Sequence, residues 1–148
     1  MNLQQSMTDI GFKVLSESHR ALLRLSGGRI LHTGFGMEVV ELRTIGRKSG
    51  QTRVTMLASP LHDENRVVLV ASKGGDDRNP QWYGNLTANP DVEIVIRGKT
   101  RKLRARTAPA DEREELWPQI VAAYKGYDRY QGKTARHIPV IICEPRPA

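Results

Sequence analysis

The sequence predicts one α+β domain of 148 residues, built on a small antiparallel β-barrel with flanking helices. After residue 37 the apolar residues recur with period two, which is typical of strands. The early strands follow one another through short polar or glycine-containing turns, which favour hairpins. A doubly wound parallel sheet needs a helix between successive strands, and the first three predicted strands have none.

Residues 1–28 are predicted to form an N-terminal helix, followed by a single barrel domain over 29–148. Two glycines at 27–28 provide the stop signal. A helix of this pattern either packs on the core or lies on a membrane surface, and both alternatives stay open. The apolar stripe at helical spacing consists of Ile10, Val14, Ala21, Leu22 and Leu25.

The period-two segments predict about six strands. Turns at 46–50, 62–65 and around Gly98 join them as hairpins. The predicted strands span residues 37–45, 52–59, 66–72, 92–97, 99–107 and 138–143.

Three further segments have helical patterns. Asn79 is expected to cap the first of them, with Pro80 at its first position and Pro90 after its end. The second spans 111–124, where Pro118 either kinks or restarts the helix. The third is a shorter candidate over 127–136, and residues 73–78 are predicted to form a loop.

The chain is basic, with 23 Lys and Arg against 16 Asp and Glu and a net charge of +7. This excess predicts an anionic partner, which is nucleic acid, a lipid surface or a small phosphate- or carboxylate-bearing molecule. The densest basic run lies at 97–106, but it lacks the interleaved aromatics that stack on bases. A solvated basic strand face is therefore favoured there, and no nucleic-acid partner is expected.

Several other classes are excluded by residue usage. No apolar run approaches the ~20 residues of a bilayer span, and no leader pattern opens the chain, so a cytoplasmic protein is expected. Cys143 is the only cysteine, which rules out an internal disulfide. The four histidines are scattered, so no metal site is expected. No G-x-G-x-x-G motif follows a strand, which excludes a Rossmann unit.

The turn T-I-G-R-K-S-G at 44–50 has the composition of an anion site. Its glycines permit close backbone approach, and Arg47, Lys48 and Arg53 supply cations. A solvated hairpin tip is the alternative. A second glycine turn with a cation lies at 72–75. Aromatic residues that either pack in the core or line a pocket follow: Trp82, Tyr83, Tyr124, Tyr127 and Tyr130.

Taken in order, these motifs resemble those of the deazaflavin-dependent nitroreductases, actinobacterial proteins that use coenzyme F420. The resemblance covers about residues 37–145. Its motifs are L-R-T-I-G-R-K-S-G at 42–50, A-S-K-G-G at 71–75, N-P-Q-W-Y-G-N-L at 79–86 and A-N-P at 88–90. The tail continues it with L-W-P at 116–118, tyrosines at 124, 127 and 130, and I-P-V at 138–140.

The resemblance implies a split β-barrel that binds F420. The residues implied to hold the anionic tail are Arg47, Lys48, Ser49, Gly50 and Arg53. Those implied to line the path to the ring are Val54, Thr55, Met56, Leu57 and Ala58. The ring edge is implied to meet Val70, Ala71, Ser72, Lys73, Gly74 and Gly75. The residues implied to close the pocket are Pro80, Gln81, Trp82, Tyr83, Gly84 and Asn85, with Tyr127 on the far side.

The activity implied is hydride transfer from F420H2 to a quinone, an activated enone or a nitro compound. No catalytic residue is assigned with certainty, and the candidates are Ser72, Tyr124 and Tyr130. Met56 stands where relatives commonly have proline, and Ala58 where a bulkier residue is usual, so the acceptor stays open. The alternatives are an FMN-dependent split-barrel oxidoreductase and a non-catalytic F420 carrier, and the sequence does not reveal the oligomeric state.

Overall fold

The computed structural model describes residues 33–34 and 36–147 of the chain. The described strands number eight and form one sheet in which every pairing is antiparallel. They are β1 (Thr33–Gly34), β2 (Met37–Ile45), β3 (Thr52–Ser59), β4 (Leu61–His62), β5 (Val67–Val70), β6 (Asp91–Ile96), β7 (Lys99–Thr107) and β8 (Val140–Pro145).

Short helices cover the sheet. They are α1 (Gln81–Ala88), α2 (Ala110–Ala123) and α3 (Gly126–Gly132), together with a 3-10 turn at Lys73–Gly75. None of the helices in the described part of the chain combines the length and apolar composition that a bilayer span requires.

The strand order explains the split character of the barrel. Along the sheet the strands run β1-β2-β6-β7-β8-β5-β4, and β3 pairs with the other side of β2. Among the described strands, β3 has a ladder only with β2, although it lies against β5. The barrel therefore curls until β3 meets β5 without a ladder between them, and the predicted antiparallel split β-barrel is confirmed.

Strands β5 and β8 are buried on both faces, and this divides the core in two. Leu69 and Ile141 point into the barrel with Val40, Leu42 and Ile94, whereas the alternate residues of the same strands point outward. The outer core lies beneath α2 and α3 and contains Val68, Val70, Leu116, Ile120, Tyr127, Ile138, Val140 and Ile142.

All six predicted strands are present, and each lies within two residues of its predicted bounds. Buried residues alternate with more exposed ones in β6 and β7, whereas β5 and β8 are apolar runs buried on both faces. The two-residue strands β1 and β4 are too short to carry a pattern.

The structure corrects two expectations about the helices. Asn79 is not the cap: α1 begins at Gln81 with Pro80 preceding it, and the Asn79 amide accepts a bond from Arg136. Helix α3 ends at Gly132 rather than at residue 136. Helix α2 is a single helix through Pro118, which excludes a restart there. The predicted helix at 1–28 lies outside the described residues.

The arginines of the basic strand are exposed but paired within the chain. Arg101 donates to the backbone carbonyls of Asp63 and Glu64 at 2.9 Å each. Arg104 pairs with Asp91, and Arg106 binds both Glu112 and Glu144. Their bonds hold the pKa of the Asp91 and Glu112 carboxyls below the usual range. The strand face is largely exposed, as expected, and three of its arginines, Arg97, Arg104 and Arg106, also pair with carboxylates of the chain.

The hairpin between β6 and β7 depends on a buried carboxylate. Arg97 and Gly98 form a two-residue turn with φ of 51° and 79°, a conformation that Asn-Gly usually supplies. Arg97 adopts it while binding Glu38 with two bonds of 2.9 and 3.1 Å, and the Glu38 side chain is only 3% exposed. The ion pair outweighs the unfavourable backbone conformation, because a buried carboxylate needs a partner.

This balance gives a testable prediction for Arg97→Asn. Asparagine suits the turn, yet the variant leaves Glu38 buried without its partner, so thermal unfolding should begin several degrees lower. Combining it with Glu38→Gln should remove part of that loss, since a neutral amide is less costly to bury. Circular dichroism of the two single variants and the double variant measures this. An Arg97→Asn protein as stable as the original would contradict it.

Candidate functional site

The turn at 46–50 packs its serine closely against the first glycine and has a positive φ, 71°, at the last glycine, Gly50. The Gly46 N–H donates to the Gln51 carbonyl at 2.8 Å, and a Cβ on Gly46 would lie 2.6 Å from Ser49 Oγ. Ser49 Oγ also accepts a bond from Arg53 Nη2 at 3.3 Å. The turn therefore gathers two cations and a hydroxyl on an exposed surface: Lys48, Ser49 and Arg53.

Arg47 fixes this turn to helix α1. Its Nη1 donates to Asn85 Oδ1 at 2.8 Å and to the Gln81 carbonyl at 3.2 Å, and its Nη2 donates to Gln81 Oε1 at 2.8 Å. The guanidinium crosses the helix at Gly84, where a Cβ would lie 2.9 Å from its carbon. Gly84 is thus the residue that lets Arg47 approach the helix.

Asn85 is the buried end of the same contact. Its Oδ1 accepts from the Arg47 backbone N–H at 3.2 Å as well as from the guanidinium, and its Nδ2 lies 3.5 Å from Thr44 Oγ1. Because Asn85 is 6% exposed, water cannot readily replace these partners. One buried amide therefore joins the helix to the turn at 46–50.

The second glycine turn has successive left-handed residues. Ser72 is right-handed helical, and φ is positive at the next three residues: 45° at Lys73, 64° at Gly74 and 86° at Gly75. A right-handed residue followed by a left-handed one turns successive backbone N–H groups to one side, which forms an anion-binding concavity. Ser72 itself is 9% exposed, so its hydroxyl lies at the base of this turn.

Arg136 is a residue of this region that the sequence analysis did not identify. It donates from Nε to the Asp76 carbonyl at 2.8 Å, from Nη1 to the Ala71 carbonyl at 3.2 Å and from Nη2 to the Ser72 carbonyl at 2.8 Å. Nothing in the local sequence marks it, because its partners lie about 60 residues earlier in the chain.

The three tyrosines of the tail form one cluster beside this turn. The ring centroids of Tyr124 and Tyr127 are 5.4 Å apart and edge-to-face, and the Tyr130 centroid lies 6.2 Å from each of them. The hydroxyls of Tyr124 and Tyr130 are 3.4 Å apart. A Cβ on Gly126 would fall within the Tyr124 ring, so glycine there lets Tyr124 fold back over α3. Tyr127 and Tyr130 lie on α3, whereas Tyr124 precedes that helix in an extended conformation.

The glycine turn at 72–75 is in direct contact with the end of α3. A Cβ on Gly75 would lie 2.8 Å from the Tyr130 carbonyl and 3.0 Å from Lys133 Cβ. Glycine at this position therefore lets the turn pack against the end of α3. The contact brings Ser72 and the tyrosine cluster into one region.

Burial keeps two of these phenols protonated. It raises the pKa of Tyr127 far above its usual value of ~10, and the neighbouring rings add to this effect. Burial and the bond to Tyr124 raise the pKa of Tyr130 to about 12. At neutral pH these hydroxyls can donate hydrogen bonds, and neither is poised to act as a base.

The remaining predicted residues are distributed around the barrel. On β3, Met56 is buried and its neighbours are half-buried; Leu57 packs on the inner core and Ala58 on the outer core that also supports Tyr124. Residues Val70 and Ala71 are buried at the end of β5. They lead directly into the glycine turn.

Two aromatics of α1 have structural contacts. Trp82 is 6% exposed and belongs to the inner core, and the Tyr83 hydroxyl lies 3.0 Å from Thr107 Oγ1 on β7.

Cys143 is fully buried, which raises the pKa of its thiol to about 12. In the described part of the chain, no group of three or more His, Cys, Asp or Glu side chains is arranged to hold a metal ion.

Comparisons with known proteins agree with this arrangement. Residues 15–145 match the family described as F420H(2)-dependent quinone reductase. The F420H(2)-dependent quinone reductase Rv1261c of Mycobacterium tuberculosis is 40% identical over 133 residues, which cover 86% of this chain and 88% of that protein. This chain is therefore similar to an F420H(2)-dependent enzyme over most of both lengths.

Solved structures point the same way. One described as an F420-H2 dependent reductase (FDR-A) is 41% identical, with a TM-score of 0.65, and the match covers 72% of this chain and 93% of that one. Another, described as a domain-swapped dimer, is 36% identical, with a TM-score of 0.69, and the match covers 86% and 94% of the two chains. The fold and the order of the motifs thus agree with those of solved relatives.

A first prediction concerns Asn85→Ala. The variant removes the buried acceptor of two Arg47 donors, so we expect the free energy of unfolding to fall by about 2 kcal/mol. Asn89→Ala, at an exposed position one turn later, is the control and should change stability by less than ~0.5 kcal/mol. Chemical denaturation measures both. Equal stability of the two variants would contradict the role of Asn85.

A second prediction concerns alkaline pH. Because the pKa of Tyr130 is raised to about 12 in the folded protein, the stability it contributes is present below the unfolded value of ~10 and is lost as pH rises through about 12. Phenolate absorbance should therefore contain a late component that Tyr130→Phe reduces, while Tyr127, whose pKa is also raised, keeps the remainder. A Tyr130→Phe curve that loses absorbance only near the usual value of ~10 would contradict this assignment.

Proposed function

This chain belongs to the F420H(2)-dependent quinone reductase family, and from that premise we propose that it reduces a small electron-poor acceptor with coenzyme F420. The observation that carries the proposal is the packing of the glycine turn, with its right-handed to left-handed step at Ser72, against the tyrosine cluster, together with an exposed cationic turn fixed to α1. Reduced deazaflavin, when bound, supplies a hydride to such an acceptor. The chain's own part is binding, orientation and control of protons.

The residues present fit an anionic cofactor of this class. Lys48, Ser49 and Arg53 offer charge-assisted and neutral donors on one exposed turn, as a phosphate or a run of carboxylates requires. We assign the anionic tail to them. Arg47 enters the proposal chiefly as the residue that fixes this turn on α1, because two of its three guanidinium nitrogens already bind the helix.

The glycine turn suits the polar edge of a flat ring. The right-handed to left-handed step at Ser72 and Lys73 is the backbone conformation that turns successive N–H groups to one side, and Gly74 after it carries no side chain. Ser72 supplies a hydroxyl at the same place, buried enough for its bond to be strong. We propose that this turn orients the ring and that Val70 and Ala71 support it from behind.

The tyrosine cluster is proposed to form the side of the site that binds the electron acceptor. Tyr124 and Tyr130 present hydroxyls 3.4 Å apart on a half-buried surface, and phenol hydroxyls can hold the oxygen atoms of a quinone by hydrogen bonds. Ala58 packs on the same outer core and leaves room there compared with a larger side chain. A quinone is the acceptor that this surface and the family support best; an enone or a nitro compound is secondary.

The alternatives predict different properties. An FMN-dependent enzyme would be isolated yellow with a flavin spectrum, and a carrier protein would bind F420 without oxidising F420H2 in the presence of menadione. A nucleic-acid partner finds less support, since the arginines of β7 bind acceptors within the chain. We place the reaction in the cytoplasm, and contact of residues 1–28 with the membrane face remains part of the proposal.

The test is titration with F420 of the original chain and of Lys48→Ala, Arg53→Ala and Lys102→Ala. Loss of one charge-assisted contact costs about 1.5–3 kcal/mol, so the first two variants should bind roughly 10- to 100-fold more weakly. Lys102, an exposed lysine of β7 outside the proposed site, is the charge-matched control. Equilibrium dialysis and cofactor fluorescence measure the affinity.

The outcomes separate the proposals. Saturable binding together with F420H2 oxidation by menadione supports the reductase. Absence of binding to the original chain would overturn it. Equal weakening by Lys102→Ala and Lys48→Ala would contradict the assigned tail site and indicate only a net-charge effect.

A further inference from the structure

One guanidinium, that of Arg136, binds the carbonyl oxygens of the glycine turn. Arg136 donates to the carbonyls of Ala71, Ser72 and Asp76 and to the Asn79 side chain, at 2.8 to 3.2 Å. We propose that Arg136 is the positioning residue that orients the N–H groups of this turn toward the cofactor. The proposal rests on the proposed function and deepens it, because it names the residue that gives the ring-binding turn its shape.

Peptide geometry links the carbonyls to the N–H groups. In a planar trans peptide, the carbonyl of one residue and the N–H of the next point in opposite directions. By holding the carbonyls of Ala71 and Ser72, Arg136 therefore directs the N–H groups of Ser72 and Lys73 away from itself. Those are the N–H groups that the right-handed to left-handed step at Ser72 turns to one side.

The position of Arg136 is itself fixed on both sides. Gln131 Nε2 donates to the Arg136 carbonyl at 2.8 Å, and Gln131 Oε1 accepts the Ile138 N–H at 3.0 Å. Arg113 holds the same connector, donating to Gln131 Oε1 and to the Ile138 carbonyl at 2.9 Å each. The guanidinium thus starts from a rigid segment and can impose a geometry on the turn.

The acceptors of Arg136 are neutral. Three are backbone carbonyls and one is an amide, whereas the Asp76 carboxylate is bound by Arg78 at 3.1 Å. The charged groups nearby are the carboxylates of Asp76 and Asp77. A planar fork that reaches four acceptors has no equivalent in lysine, so charge alone should not replace Arg136.

The experiment compares Arg136→Gln and Arg136→Lys with Arg101→Gln. Arg101 is the matched control, because its guanidinium also holds two backbone carbonyls, but in the loop at 63–64 outside the proposed site. Two quantities are measured on each full-length protein. They are the F420 dissociation constant and, without cofactor, the hydrogen exchange of peptides covering residues 71–79.

We expect Arg136→Gln to weaken F420 binding about tenfold or more and to speed exchange over 71–79. Arg136→Lys should recover less than half of the lost binding free energy. Arg101→Gln should leave the dissociation constant within about twofold, even if its stability falls as much. In turnover, the KM for F420H2 should rise more than kcat falls, since the affected step is cofactor positioning.

Binding by Arg136→Gln at the original affinity would overturn the proposal, as would full rescue by lysine. If Arg136→Gln does not fold, Arg136→Lys supplies the same comparison. If the original chain binds no F420, the proposed function fails on its own, and the exchange data still decide the positioning role. Faster exchange over 71–79 then supports it, and unchanged exchange overturns it.

Discussion

Strand β8 lies between β5 and β7 and is buried on both faces, and the rest of the domain depends on this placement. Ile141 and Cys143 fill the barrel, while Val140 and Ile142 fill the outer core beneath α2 and α3. Burying each such side chain is worth about 2 kcal/mol or more. The C-terminal segment must therefore return to the middle of the sheet, which brings the residues just before it against the glycine turn.

The proposed site is a consequence of that return. The connector from α3 to β8 carries Arg136 into the carbonyls of the turn, and the end of α3 packs against Gly75. On the other side, α1 leaves the same loop and meets Arg47. Arginine side chains bound to backbone oxygens and amides thus fix both turns of the proposed site to their neighbouring elements.

This arrangement also divides the positive charge of the chain. Arg97, Arg104 and Arg106 neutralise carboxylates, and Arg101 and Arg136 bind carbonyl groups. Each of them stabilises the fold or shapes a loop. Lys48 and Arg53 remain on the exposed turn, where a small polyanion can reach them.

Much of the fold could be predicted from the sequence because the long strands are either alternating segments, as in β6 and β7, or short apolar runs between turns, as in β5 and β8. Helical spacing accounts for Tyr127 and Tyr130 on α3, but the position of Tyr124 depends on its extended backbone and on the missing side chain of Gly126. The Arg136 contacts were not predictable, because they join segments about 60 residues apart. The role of Asn79 was missed for the same reason: its local pattern fits a cap, and the tertiary contact with Arg136 takes its side chain instead. The packing of Arg47 against Gly84 was not predictable either, because the two residues belong to separate elements.

The most direct measurement is a crystal structure of the full chain with F420 bound. We expect the anionic tail beside Lys48, Ser49 and Arg53, and the polar edge of the ring at the N–H groups of the turn that begins at Ser72. Arg136 should still hold the carbonyls behind that turn. A complex with F420 bound elsewhere on the barrel, or with these carbonyls released from Arg136, would contradict the proposed site.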